Sequence, residues 1–262
     1  MSTSTTQSAA NEETVNIDEP LDREWLGSWI QPQHLTDDAI GSYREAFASH
    51  PVNLVVLKNF LTEPEADGLS RFVNDEAELE TAYGLYSAMK KSPGRNASVT
   101  ETEWMEAEEQ DRFFRLQNFV RVSEQKKLTP NLVTYLQFLT AFKNSKFRRF
   151  FEAITGTELD LKSETYHFFT YKKGDFLGHH TDKGKNYRLA FMLYLTPEWE
   201  ERFGGEFNVI LPSGEITKLE PEYNSLIVFN VEAQAKHFVS KINDCVGDRG
   251  RSAFSGWLHK PA

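Results

Sequence analysis

Seven histidines occur in the chain, and one of them opens the triplet His180-Thr181-Asp182, directly after Gly174-Asp175-Phe176-Leu177-Gly178-His179. Side chains two residues apart on an extended backbone point to the same side, so this imidazole and carboxylate can grip one cation. About a third of one His-x-Asp pair is expected by chance in this composition, so the triplet needs support. His237 supplies it from the short β-type run Ala235-Lys236-His237-Phe238-Val239-Ser240. Two imidazoles and one carboxylate form a facial triad that suits Fe(II) and leaves positions open for a chelating co-substrate and O2. A zinc hydrolase could draw on the same donors, but its general base usually comes from a helical motif that is absent here. Arg251, at the head of Arg251-Ser252-Ala253-Phe254-Ser255-Gly256-Trp257, is the third component. An inward arginine in a barrel must be paired, and its planar fork matches a carboxylate, such as the distal one of 2-oxoglutarate. Ser255 shares its face, and Arg249 is the alternative cation.

These residues need strands to hold them. After Gly156 the runs SETYHFFTY, YRLAFMLYLT, GGEFNVIL, EITKLE, NSLIVFNV, KHFVSKI and RSAFSGWLH are short and β-type, divided by Gly, Pro, Asn and Asp. Seven or eight such strands predict a closed barrel or a double-sheet jelly roll. An immunoglobulin-like sandwich would want paired cysteines and less helix before it. Ahead of Gly156 the texture is mainly helical. Thr36 caps a helix that breaks at Pro51, a strand spans 52–59, and Thr62-Glu63-Pro64-Glu65 opens a helix over 63–74. Residues 76–91 and 100–112 read as helices around the loop 92–96, the second opened by the capping box Thr100-x-x-Glu103. Phe113–Val122 reads as a strand, and Pro130–Phe142 and Lys146–Ile154 as helices, the last ended by Gly156. The expected fold is therefore α+β: a disordered tail over 1–20, then one domain over 21–262. In that domain residues 21–155 give helical support and a substrate rim, and 156–262 give a jelly-roll core with the metal site.

Composition narrows the classes. Lys and Arg number 29 against 39 Asp and Glu, a formal net charge of -10, so no cation excess exists to displace counterions from a phosphate backbone and nucleic acid is not expected as a partner. The single Cys245 excludes an internal disulfide framework and fits a reducing cytoplasm. The longest apolar runs, Leu54–Leu57 and Leu226–Phe229, are too short to cross a bilayer, and the N-terminal residues resemble no export signal.

The order of motifs makes a resemblance explicit. The His-x-Asp pair, Tyr194-Leu195-Thr196-Pro197-Glu198-Trp199, Gly204-Gly205-Glu206-Phe207, the distal histidine and Arg251-x-x-x-Ser255-Gly256-Trp257 follow one another as in the Fe(II)- and 2-oxoglutarate-dependent dioxygenases. Residues 145–260 resemble the prolyl-4-hydroxylase-like branch of that superfamily, with a looser likeness at 52–74. The resemblance implies a double-stranded β-helix, or cupin-like, core. It implies that His180, Asp182 and His237 bind Fe(II), that Arg251 binds the 5-carboxylate of 2-oxoglutarate, and that Tyr171, Tyr194 and Ser255 line that co-substrate. The reaction implied is hydroxylation of an unactivated C–H by O2, with 2-oxoglutarate leaving as succinate and CO2 and ascorbate in support. A carboxylate at Asp182 argues against halogenation, since related halogenases keep a small residue there. The chain departs from the pattern in Thr196, where Asn is usual, in Phe207, where Leu is usual, and in the longer gap from His237 to Arg251.

For substrate, the acidic chain and the lack of a recognisable peptide-binding module favour a free or carrier-bound amino-acid-like small molecule, clamped by Arg115, Arg121 or Arg188. The alternative is a prolyl residue in a protein, and the non-enzyme alternative is a metal-binding jelly-roll sensor. His179 should face away from the site because its partner two residues on is Thr181. His167 reads as a core or rim histidine, and Phe168, Phe169, Phe191 and Phe229 as barrel filling.

Overall fold

Capping side chains set most of the helix starts. In the computed structural model, which describes residues 20–91, 97–120, 127–182, 184 and 186–261, a short α1 (Arg23–Leu26) precedes α2 (Asp37–Ser49). Thr36 accepts from the Ala39 amide at 3.2 Å to open α2, whose first turn carries Asp37 and Asp38 against the partial positive charge of the helix start. β1 (Leu54–Leu57) and α3 (Glu63–Arg71) follow as the sequence predicts, α3 passing into a wider π turn over Phe72–Glu76. The tail over 1–19, the loop 92–96 and Arg121 lie outside the described residues.

The expected helix over 76–91 is instead β2 (Leu79–Leu85) followed by a short α4 (Tyr86–Lys91). Leu, Glu and Ala favour helix locally, but β2 pairs antiparallel along its whole length with β4 (Arg112–Phe119), and that ladder overrides the weak local preference. Between them come β3 (Ser98–Val99) and α5 (Glu101–Glu106). α5 is shorter than expected but carries both halves of the Thr100–Glu103 capping box. α6 (Pro130–Phe142) is capped by Thr129, and α7 (Ser145–Thr155) by Asn144 and, in the left-handed region at φ 66°, by Gly156.

Eight strands follow, as the turn pattern predicts: β5 (Glu164–Tyr171), β6 (Phe176–His180), β7 (Tyr187–Tyr194), β8 (Phe207–Ile210), β9 (Ile216–Leu219), β10 (Leu226–Asn230), β11 (His237–Val239) and β12 (Arg251–His259). The sheet runs β1-β10-β7-β12-β5-β4-β6-β11-β8-β9, with β2 and β3 added beside β4. It curls so that β10-β7-β12-β5 faces β6-β11-β8-β9, the double-stranded β-helix arrangement. The N-terminal residues are therefore less helical than expected, since four strands of the sheet come from 54–119.

Alternation along the strands divides the apolar mass in two. Phe168, Phe191, Leu193 and Phe254 point outward into a core shared with α3, α6 and α7. Phe169, Met192, Phe207, Phe229 and Ala253 point inward and line the barrel. The helices thus brace β7, β12 and β5 from behind, which fixes the strands that carry the inner face. Among the described residues no helix is long and apolar enough to cross a membrane.

Candidate active site

Three donor atoms from His180, Asp182 and His237 lie within 4.8 Å of one another, and among the described residues no other group of three His, Cys, Asp or Glu side chains comes this close. The two histidines are direct partners across the β6–β11 pair. Their Nε2 atoms sit 3.6 Å and 3.5 Å from the two Asp182 oxygens, too far for good hydrogen bonds and suited to facing a common point. Each Nδ1 has a carbonyl partner two residues back, Gly178 O at 2.9 Å for His180 and Ala235 O at 3.0 Å for His237. A carbonyl can only accept, so Nδ1 carries the proton and Nε2 keeps its lone pair for a metal. The donor set therefore fits Fe(II) as the sequence implies.

Packing holds these ligands in place. The His237 ring lies 5.3 Å from Phe207 and 5.2 Å from Phe229, and the His180 ring meets Phe113 edge-on at 5.6 Å. Gly178 permits a close approach behind His180: a Cβ there would overlap the Tyr86 hydroxyl, which donates to His179 O at 3.2 Å. His179 points away, as expected, and stacks on Phe238 at 4.2 Å.

Arg251 is wholly buried between the rings of Tyr171 and Tyr194, at 4.6 Å and 5.1 Å from their centroids. Its Nη1 donates to Gly205 O at 2.9 Å, while Nε and Nη2, and the Tyr194 hydroxyl beside them, have no hydrogen-bond partner. Burial raises both tyrosines, more than the guanidinium lowers them, so each hydroxyl stays a donor. Two guanidinium N–H groups and a phenol aimed into one buried spot fit a carboxylate, and hence the distal end of 2-oxoglutarate. Arg249 does not compete, because it donates to Pro197 O at the rim of a separate cleft. The longer gap from His237 is taken up by a 3-10 turn, Asp244–Val246, and Gly247 in the left-handed region at φ 67°. Thr196 has its own structural use, accepting from the Ser252 amide at 2.8 Å and donating to Gly250 O at 2.9 Å at the start of the Arg251 strand.

A pocket of about 410 Å³ opens onto His180, Asp182 and His237 and is lined also by Tyr171, Phe113, Phe114, Phe169, Met192 and other side chains; Tyr171 is its contact with the Arg251 cluster. Ser255 lines it on the face expected, yet four residues up the strand from Arg251, about 13 Å away, beside His167 rather than in the carboxylate clasp. His167 was expected at the core or rim and stands on the pocket wall. Its side chain is exposed there. Its position was legible in its parity, since 167, 169 and 171 share one face of β5. The arginines proposed to clamp a small substrate are committed elsewhere. Arg115 pairs with buried Asp175 at 2.5 Å and Arg188 pairs with Glu232, while Arg121 lies outside the described residues.

Comparison with known proteins agrees with this geometry. Residues 166–259 match the family model of the 2OG-Fe(II) oxygenase superfamily. The chain is 33% identical over 119 residues to prolyl 3-hydroxylase OGFOD1 of Xenopus laevis, a match that covers 43% of this chain and 23% of that protein. It is 28% identical over 140 residues to prolyl 3-hydroxylase sudestada1 of Drosophila melanogaster, covering 49% and 25%. The chain thus spans about a quarter of the length of these curated relatives. A prolyl-4-hydroxylase from Pseudomonas putida shares the fold with a TM-score of 0.55 at 18% identity, covering 85% of this chain and 99% of that one. A Trichoplax adhaerens prolyl hydroxylase, solved with a hypoxia inducible factor peptide, gives 0.56 at 14% identity, covering 86% and 90%.

Proposed function

From the premise that residues 166–259 belong to the 2OG-Fe(II) oxygenase superfamily, we propose that the chain is a protein hydroxylase acting on prolyl residues, rather than on the free amino-acid-like molecule that its acidity suggested. One observation carries this reading. Among the described residues lining the metal pocket, Asp182 is the only Asp, Glu, Lys or Arg, and it belongs to the metal set. A free amino acid brings an ammonium and a carboxylate that need partners on leaving water, whereas a prolyl residue within a chain brings neither. The net charge of -10 is spread over the exterior and gives this pocket no anionic wall.

The roles of the residues follow from their positions. His180, Asp182 and His237 would hold Fe(II) on one face, and Arg251 with Tyr194 would hold the distal carboxylate of 2-oxoglutarate. Bound Fe(II), with 2-oxoglutarate and O2, supplies the oxidising power: one oxygen atom enters the substrate C–H and the other leaves in succinate, with release of CO2. The protein orients the reactants. Arg251 anchors one end of the co-substrate about two side-chain layers below the substrate wall, and the aromatic lining keeps water from the reacting centre. The Nδ1 hydrogen bonds hold both imidazoles in the metal-binding tautomer.

The test is succinate formation under air with Fe(II), ascorbate and 2-oxoglutarate, run against prolyl peptides and against free amino acids, with product mass read in parallel. Prolyl peptides should stimulate turnover and gain one oxygen atom. Stimulation by free amino acids alone would overturn the reading.

A further inference from the structure

The wall of the metal pocket formed by β5 and β12 differs from the rest of its lining. His167 and Ser255 are direct partners in the β5–β12 register, and Trp257 follows two residues on along the same face. The His167 ring lies 5.3 Å from Phe169 and 5.9 Å from Trp257, and neither of its nitrogens has a hydrogen-bond partner among the described residues. It is exposed where it lines the cavity, so both ring nitrogens are open to a ligand, and a neutral imidazole offers one donor and one acceptor. The Ser255 hydroxyl is likewise unpartnered, and the Trp257 indole N–H is buried without an acceptor, its ring held by stacking on Tyr187 at 4.9 Å. Two unpartnered polar side chains, His167 and Ser255, therefore stand side by side on one wall of a cavity otherwise walled largely by aromatic and aliphatic side chains.

Polar side chains set side by side in a largely apolar pocket favour a ligand with polar atoms at that level. A prolyl residue has a ring that suits the aromatic lining, and flanking amides that offer carbonyl acceptors and, on the residue that follows, an N–H donor. We infer that His167, backed by Ser255, is a specificity-determining residue that hydrogen-bonds the peptide amide flanking the target proline and thereby sets which ring carbon faces the metal triad. This inference rests on the prolyl reading. Adjacent ring carbons lie one bond length apart, so an anchor fixed to the protein on one side and a metal fixed on the other are enough to choose between them. Arg251 sits about 13 Å from this level, so the anchor can act on the substrate without touching the co-substrate clasp.

The experiment compares the wild-type protein with His167→Phe, His167→Gln and Ser255→Ala on prolyl peptides. It records KM, kcat and the ratio of 3-hydroxyproline to 4-hydroxyproline, with rates normalised to the fraction of each protein that binds 2-oxoglutarate. Loss of the His167 hydrogen bond should raise the peptide KM about three- to tenfold in His167→Phe. The isomer ratio should also move toward a mixture. His167→Gln, which keeps a donor and an acceptor, should stay nearer the wild-type ratio, and Ser255→Ala, a smaller change on the partner strand, should shift KM in the same direction. Wild-type KM and isomer ratio in all three variants would overturn this inference and leave the prolyl reading standing. A wild-type protein that turns over 2-oxoglutarate but oxidises no prolyl peptide would overturn both.

Discussion

Replacing Arg251 by methionine should leave the ligand-free protein nearly as stable as before while removing its response to 2-oxoglutarate. The guanidinium is fully buried and has one hydrogen bond, to Gly205 O, and two ring contacts, with Tyr171 and Tyr194. Two desolvated cation–π contacts contribute about 1–2 kcal/mol each, and the charged hydrogen bond about 1.5–3 kcal/mol. Taking the ion out of water without a counter-ion costs several kcal/mol, so the sum is close to zero and Arg251→Met should melt within about 2 kcal/mol of the wild type. Ligand changes the balance. At a hundredfold excess over Kd, 2-oxoglutarate with Mn(II) should stabilise the wild type by about 2.7 kcal/mol, which at this chain length raises Tm by roughly 5–10 °C. Losing two charge-assisted hydrogen bonds, about 3–6 kcal/mol, raises Kd at least about a hundredfold and should abolish that shift in the variant. Thermal melting with Mn(II) across a 2-oxoglutarate titration reads both quantities. An Arg251→Met protein that keeps the wild-type shift would refute the assignment of the clasp, and one that loses more than about 4 kcal/mol without ligand would refute the claim that Arg251 is held for the co-substrate rather than for the fold.

Asp182→Ala should weaken Fe(II) binding by about a hundredfold or more and abolish hydroxylation, because it removes the sole anionic donor of the triad; calorimetric metal titration checks it, and near wild-type product would sink the metal site. Gly178→Ala should cost about 1–3 kcal/mol of stability and lower metal affinity, because the new methyl group overlaps the Tyr86 hydroxyl and comes within 3.0 Å of Phe113 O. Adding Tyr86→Phe should restore part of the loss, and equal metal affinity in all three proteins would show that the contact does not position His180. Burial, which outweighs its hydrogen bond to Asn59 O, lowers the pKa of His34 from its ordinary 6.5. Below that value the unfolded chain takes up a proton that the folded chain resists, so the stability His34 contributes is full above about pH 6.5 and declines as pH falls through its folded pKa. Urea midpoints at about pH 7 and about pH 5 should differ less in His34→Gln than in the wild type, and an unchanged difference would dismiss this source.

Features written in local chain chemistry were legible before the fold was known. The parity that aims His180 and Asp182 to one side is a property of any extended backbone, and so is the shared face of Arg251 and Ser255. Thr36, Thr100 and Thr129 mark helix starts because a hydroxyl satisfies amides that the first turn leaves open, and Gly156 marks an end because it tolerates a positive φ. The motif order from His180 to Trp257 was therefore enough to expect the jelly-roll core and the meeting of His180, Asp182 and His237. What the sequence could not decide depended on partners far along the chain. Leu79–Leu85 became a strand because β4 offered it a ladder, a gain that no window of local propensity contains. Arg115 and Arg188 left the substrate problem because folding brought Asp175 and Glu232 to them, from 60 and 44 residues away. Net charge says little about this pocket for a related reason: it sums the whole surface, whereas the few groups that reach one cavity set its field. Only the register of β12 against β5, which places Ser255 opposite His167 and Arg251 opposite Tyr171, turned a row of residues on one strand face into the wall of a pocket with a buried cation near one end.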